Sequence, residues 1–95
     1  MRIEDFIWLK DIVEKLEVKH HVYREEVEQV FINNPYFRFI SKGRKRQHED
    51  VYAAYGQTEG GRYLTIFFIH KPGHLALIIS ARDMDVKERK RYGKK

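Results

Sequence analysis

The sequence predicts an α+β fold of order ααββββα, and three observations carry the prediction. Apolar residues in the first third recur at spacings of three and four. From Pro35 onward they form short aromatic and β-branched runs separated by glycine and proline turns. The last stretch returns to a charged helical pattern with its own cap. Ninety-five residues make one domain, 1–95, with room for one small core.

Each element has a local reason. Phe6, Leu9, Ile12, Val13 and Leu16 lie on one helical face and predict a helix over roughly residues 4–18. Lys19-His20-His21 breaks it. Tyr23, Val27, Val30 and Phe31 then make a second stripe, stopped by Asn33-Asn34-Pro35. Strands are predicted at Tyr36–Ser41, Val51–Gly56, Arg62–His70 and Leu75–Ser80. A polar loop at Lys42–His48, a Gly60-Gly61 hairpin and a Lys71-Pro72-Gly73 turn connect them as an antiparallel meander. Ile66-Phe67-Phe68-Ile69 is apolar on both sides, as in a central strand covered by helices on at least one face. Asp85 with Glu88 three residues later forms a capping box for the last helix, and Arg89 to Arg91 stand toward its C-terminus, where the dipole favours cations. Arg89 is expected to pair with a helical glutamate.

Several functions are excluded at once. The chain has no cysteine, hence no disulfide, thiolate zinc site or cysteine nucleophile. No run approaches the apolar length of a membrane span, and no signal-peptide pattern opens the chain, so a cytoplasmic protein is expected. There is no phosphate-binding Gly-Lys-Ser/Thr loop and no nucleophile elbow. His20 and His21 are adjacent and diverge, while His70 and His74 lack a carboxylate nearby in sequence. No metal site and no cofactor are expected.

Charge distribution points to a polyanion. Net charge is +5, but residues 1–31 balance at −3 and residues 32–95 at +8. Lys42, Arg44, Lys45 and Arg46 cluster in one loop with His48. Arg82, Lys87, Arg89, Lys90, Arg91, Lys94 and Lys95 gather at the end, with Tyr36, Phe37, Tyr52, Tyr55, Tyr63 and Tyr92 among them. Cations neutralise phosphates and exposed rings stack on unpaired bases, so this mixture suits RNA. The plainer reading makes the charges a solvated face and most of the tyrosines core. His20 or His48 can serve as general base or acid, since imidazole titrates near neutral pH.

Lys19-His20, Val22, Glu25-Glu26 and Val30-Phe31 resemble the Lys-His-Gly-Val…Glu-Glu-Ala…Val-Phe segment of BrnT-type toxins. Gly56, then Gly61-Arg62 and an apolar strand, match the middle of that family. Ile78-Ile79-Ser80-Ala81-Arg82, followed by Glu88-Arg89 and Tyr92, match its end. The resemblance implies a RelE-like ribonuclease fold and metal-independent RNA cleavage that inhibits translation. It also implies a BrnA-type antitoxin that binds the toxin and operator DNA, with the pair forming a dimer or heterotetramer. In that reading Lys19, Arg62 and Arg82 contact phosphate, and His20 or His48 moves the proton. Tyr92 either touches substrate or pins the last helix to the sheet. Two positions depart from the family, Val51 and Leu77, where such toxins commonly carry arginine. The cations at 42–46, Arg62, Arg82 and His48 must then compensate; otherwise cleavage is weak. The alternative is a non-catalytic module of the same fold that binds antitoxin or RNA.

Overall fold

The computed structural model describes residues 1–43 and 49–93. Its strands are β1 (Asp5–Ile7), β2 (Tyr36–Ser41), β3 (Val51–Gln57), β4 (Tyr63–Lys71) and β5 (Leu75–Asp83). Its α-helices are α1 (Lys10–Lys15), α2 (Arg24–Ile32) and α3 (Val86–Gly93), and a π-helical turn, Leu16–His20, continues α1. The five strands form one sheet in the order β1-β5-β4-β3-β2. β2 to β5 make the expected antiparallel meander.

The sheet is mixed and five-stranded, where four antiparallel strands were expected. The extra strand, β1, lies parallel to β5 with Phe6 opposite Ala76. It comes from the start of the predicted first helix. Phe6 and Leu16 share helical spacing, but Phe6 packs edge-on against Phe31 at 5.1 Å while Leu9 is half exposed at the helix start. Trp8 donates from Nε1 to Glu28 at 3.0 Å and fixes the path from strand to helix. A three-residue strand paired across some seventy positions leaves no local periodicity to read.

Alternation along the strands gives the sheet two unlike faces. One is packed by α1, the π turn and α2. Its core comprises Leu16, Val22, Val27, Val30, Leu64, Ile66, Phe68 and Ile78, all essentially without solvent contact. Gly56 faces this layer, and a Cβ there would meet Val30 at 2.9 Å, so α2 sits as close as it does because residue 56 has no side chain.

The opposite face carries α3 at one end only. Beneath α3 lie Ala53, Tyr55 and Met84, with Tyr63, Phe67 and Tyr92 packed against them. Pairing registers order this face into three cross-strand rows. Arg82, Thr65, Tyr55 and Tyr36 form the row beside α3. Ser80, Phe67, Ala53 and Arg38 form the next, and Leu77, Ile69, Val51 and Ser41 the third. Rows lie about 6.6 Å apart, two residues along each strand.

Candidate functional site at the end of the sheet

The end of β5 carries two charged assemblies that point to opposite faces. On the helix face Arg62 works as a clamp. Its Nε donates to Asp83 at 2.8 Å, Nη1 to the His21 carbonyl at 2.7 Å and to Glu26 at 3.1 Å, and Nη2 to the His20 carbonyl at 3.0 Å. The carbonyls of His20 and His21 are among those the π turn leaves without partners at its C-terminal end, and a cation there also suits the helix dipole. His21 closes the turn in the left-handed conformation, φ 54°. Glu26 also accepts from the Tyr23 backbone N–H at 3.1 Å, so one carboxylate caps α2 and holds Arg62. Lys19 is exposed and His20 half-buried beside this clamp.

On the other face Arg82 holds α3. Its two terminal nitrogens donate to the two oxygens of Glu88 at 2.7 and 2.9 Å, a bidentate fork, and Nη1 also reaches the Asp83 carbonyl at 3.2 Å. The fully buried Thr65 donates its hydroxyl to Glu88 at 2.9 Å. Asp85 and Glu88 exchange backbone-to-carboxylate bonds, which is the predicted capping box. Glu88 therefore caps α3 and docks it. Tyr92 sits edge-on to Tyr63 at 6.0 Å, and Tyr36, Tyr55, Glu88, Arg91 and Tyr92 line a narrow cleft between α3 and the sheet.

The charges settle accordingly. Burial pushes the Glu88 carboxyl up, but hydrogen bonds from Arg82, Asp85 and Thr65 together outweigh it and hold the group below its ordinary value. The hydrogen bond from Arg62 holds Asp83 down against its own burial. Each arginine is correspondingly raised, chiefly by the hydrogen bond to its carboxylate. A carboxylate with a lowered folded pKa stabilises fully above its ordinary value and loses that contribution as pH falls through the folded one. Melting temperature is therefore expected to hold from neutrality to about pH 5 and then fall. Glu88→Gln should lower the plateau and flatten the fall, which a calorimetric pH series checks.

These assemblies place the sequence-predicted residues in separate groups. Lys19, His20 and Arg62 share the helix face; Arg82 and Tyr92 share the other. All three Arg62 nitrogens are engaged within the chain. Lys42 is exposed at the far end of β2, and Arg44, Lys45, Arg46 and His48 lie outside the described residues. Along β3, Val51 at that far end stands about 13 Å from Tyr55 beside α3, at roughly 3.3 Å per residue. His70 and His74 flank the β4–β5 turn at the far end as well. The departures Val51 and Leu77 occupy one row on either side of Ile69. Arg89 corrects the expected ion pair: its guanidinium lies over the Tyr63 ring, 4.1 Å from the centroid.

Sequence reasoning missed Arg38. It is exposed on β2, projects to the face of Arg82, and pairs with no carboxylate among the described residues. Its signal was the alternation itself: a cation between Phe37 and Phe39 must leave the face that both rings enter. Among the described residues no helix is long and apolar enough to cross a membrane.

None of the curated proteins matches this chain. A family described as the ribonuclease toxin BrnT of type II toxin–antitoxin systems matches residues 9–88, from the start of α1 to the glutamate that holds Arg82. The chain belongs to the BrnT family of ribonuclease toxins.

Proposed function

We propose that the chain is a metal-independent endoribonuclease that cleaves single-stranded RNA laid across the α3 face of the sheet and thereby inhibits translation. The observation that carries this reading is the alignment of cations and rings on that face. Tyr36 and Arg91 line the cleft beside α3, and Arg38 follows one row on along the same face. Such a track suits a backbone with unpaired bases, the cations meeting phosphates and the rings meeting bases.

In the cleavage step the ribose 2′-oxygen attacks the adjacent phosphorus and the P–O5′ bond breaks. The products are a 2′,3′-cyclic phosphate and a free 5′-hydroxyl. Arg82, about a third exposed despite its fork to Glu88, supplies charge for the extra negative oxygen of the transition state. An imidazole takes the 2′ proton and returns one to the leaving oxygen. Of the two histidines expected in that role, His20 stands with Lys19 on the helix face, away from this track, which leaves His48. Arg62 holds the His20 and His21 carbonyls and so acts on the fold of the turn that carries Lys19 and His20, not on the RNA track. Tyr92 borders the substrate track and anchors α3. A BrnA-type antitoxin is the protein partner, and operator DNA is met only through it.

The apolar row Val51–Ile69–Leu77 favours a second reading, a non-catalytic RNA-binding or antitoxin-binding module. One experiment separates the two. Arg38→Ala/Arg91→Ala removes two exposed cations without touching a described ion pair. It is expected to weaken RNA binding about tenfold or more at moderate salt and to reduce cleavage alongside, with melting unchanged. RNA that the wild type binds but leaves intact selects the second reading; binding unchanged in the variant removes this track from both.

A further inference from the structure

The two edges of the sheet are managed differently. β1 is three residues long, and the segment before it is tied to the β4–β5 turn by the Glu4 N–H donating to the His74 carbonyl at 2.7 Å. β2 is six residues long, bounds the other side and, among the described residues, pairs only with β3. Five of its six residues are exposed, with Tyr36 at 39%, Phe39 at 51% and Ile40 at 41%. A long apolar edge strand is a template for another strand, and proteins that do not use such an edge blunt it with charge, proline or a bulge. Here the blunting amounts to Arg38 and an irregularity between Phe39 and Ser41. Three large exposed apolar side chains on one open edge are more than chance exposure of single residues accounts for.

We infer that β2 is the docking edge for an extended, acidic segment of the antitoxin, which adds to the sheet as a sixth strand. The inference rests on the family's type II assignment for the existence of a protein partner and goes beyond it in naming the edge. Charge chooses the occupant. Residues 32–95 carry a balance of +8, and the exposed cation in the centre of β2 would oppose its own copy wherever two β2 strands paired near their middles. An acidic strand meets Arg38 favourably. The alternation of β2 fixes the pattern required: apolar side chains beside Phe37 and Phe39 on the helix face, acidic ones beside Arg38 on the α3 face. A strand so placed lays carboxylates along the proposed RNA track, so docking and inhibition follow from one contact.

The test is hydrogen exchange on the chain alone and in its complex with the antitoxin, obtained by expressing the two genes together. Amides of residues 36–41 are expected to slow about tenfold or more in the complex, while those of β1 stay unchanged. Phe39→Ser/Ile40→Ser, which removes the apolar contacts and adds no charge beside Arg38, is expected to weaken the complex about tenfold or more and leave RNA cleavage intact. Unchanged β2 exchange in a complex that forms overturns the inference and spares the partner. A free chain that dimerises with β2 already protected assigns the edge to a second copy instead. A chain that forms no complex overturns the antitoxin reading and this inference together. If the double variant does not fold, as melting will show, exchange on the wild type decides.

Discussion

Replacing Arg82 with alanine is expected to release α3 from the sheet and abolish RNA cleavage in the same step. The substitution removes both hydrogen bonds to Glu88 and leaves that carboxylate, largely buried, with only the Thr65 hydroxyl and the Asp85 N–H. A charged group stripped of its main partner costs several kcal/mol when fully enclosed. Because Arg82 is itself a third exposed, solvent screens part of this, and about 2 kcal/mol is expected. For a chain of this size that lowers the melting temperature by roughly 10 °C. Cleavage should fall about a hundredfold or more from loss of transition-state charge alone. Arg82→Lys keeps the charge without the fork and is expected to restore little of the stability. A double-mutant cycle with Glu88→Gln separates the roles: the stability losses should be strongly non-additive, whereas Glu88→Gln alone should retain more cleavage than Arg82→Ala.

Phe68→Ala is expected to give the largest loss of stability, about 3–5 kcal/mol. Phe68 is fully buried on the central strand β4. Its ring packs edge-on to Phe31 at 5.3 Å and to Phe37 at 5.9 Å, and stacks on Tyr52 at 6.0 Å. It therefore joins α2, β2 and β3 through one side chain, and the flanking rings cannot all move in to fill the space. Small domains have a total stability of roughly 5–15 kcal/mol, so the variant should unfold at low urea or fail to accumulate. Phe39→Ala, by contrast, removes a half-exposed ring from the sheet edge and should cost under about 1 kcal/mol. Urea titrations of the two variants, compared with the wild type, check both values.

What could be read in the sequence follows from the range of the interactions that form each element. α2, β2 and α3 are written locally. Val27 and Val30 sit on one face with Asn33 beyond the end; Tyr36–Ser41 begins after a proline; Asp85 and Glu88 cap each other. β1 exists because Phe6 finds Ala76 and Phe31, and its residues mimic a helical stripe when read alone. The π turn has a similar origin. Leu16 is buried against the core while the His20 and His21 carbonyls are captured by Arg62, forty residues away, and no spacing within residues 16–21 announces that.

The sequence offers candidate side chains for a site but does not show how they group. Arg62 and Arg82 were both expected at phosphate. The structure gives them different faces and different carboxylates, Asp83 with Glu26 for one and Glu88 for the other. Adjacent residues on a strand diverge by necessity, so Arg82 and Asp83 send the two assemblies apart. Arg38 was invisible to a search for clusters because it stands alone in sequence. It joins the cations only through the row it shares with Ala53, Phe67 and Ser80.

The central claim is that this chain cuts RNA with its own side chains. Purified wild-type protein incubated with single-stranded RNA in excess EDTA tests it most directly, with the fragment ends identified by mass. The expected result is cleavage at undiminished rate, leaving 2′,3′-cyclic phosphate on one side and a 5′-hydroxyl on the other. RNA left intact by folded protein, or cleavage that stops on chelation, contradicts it.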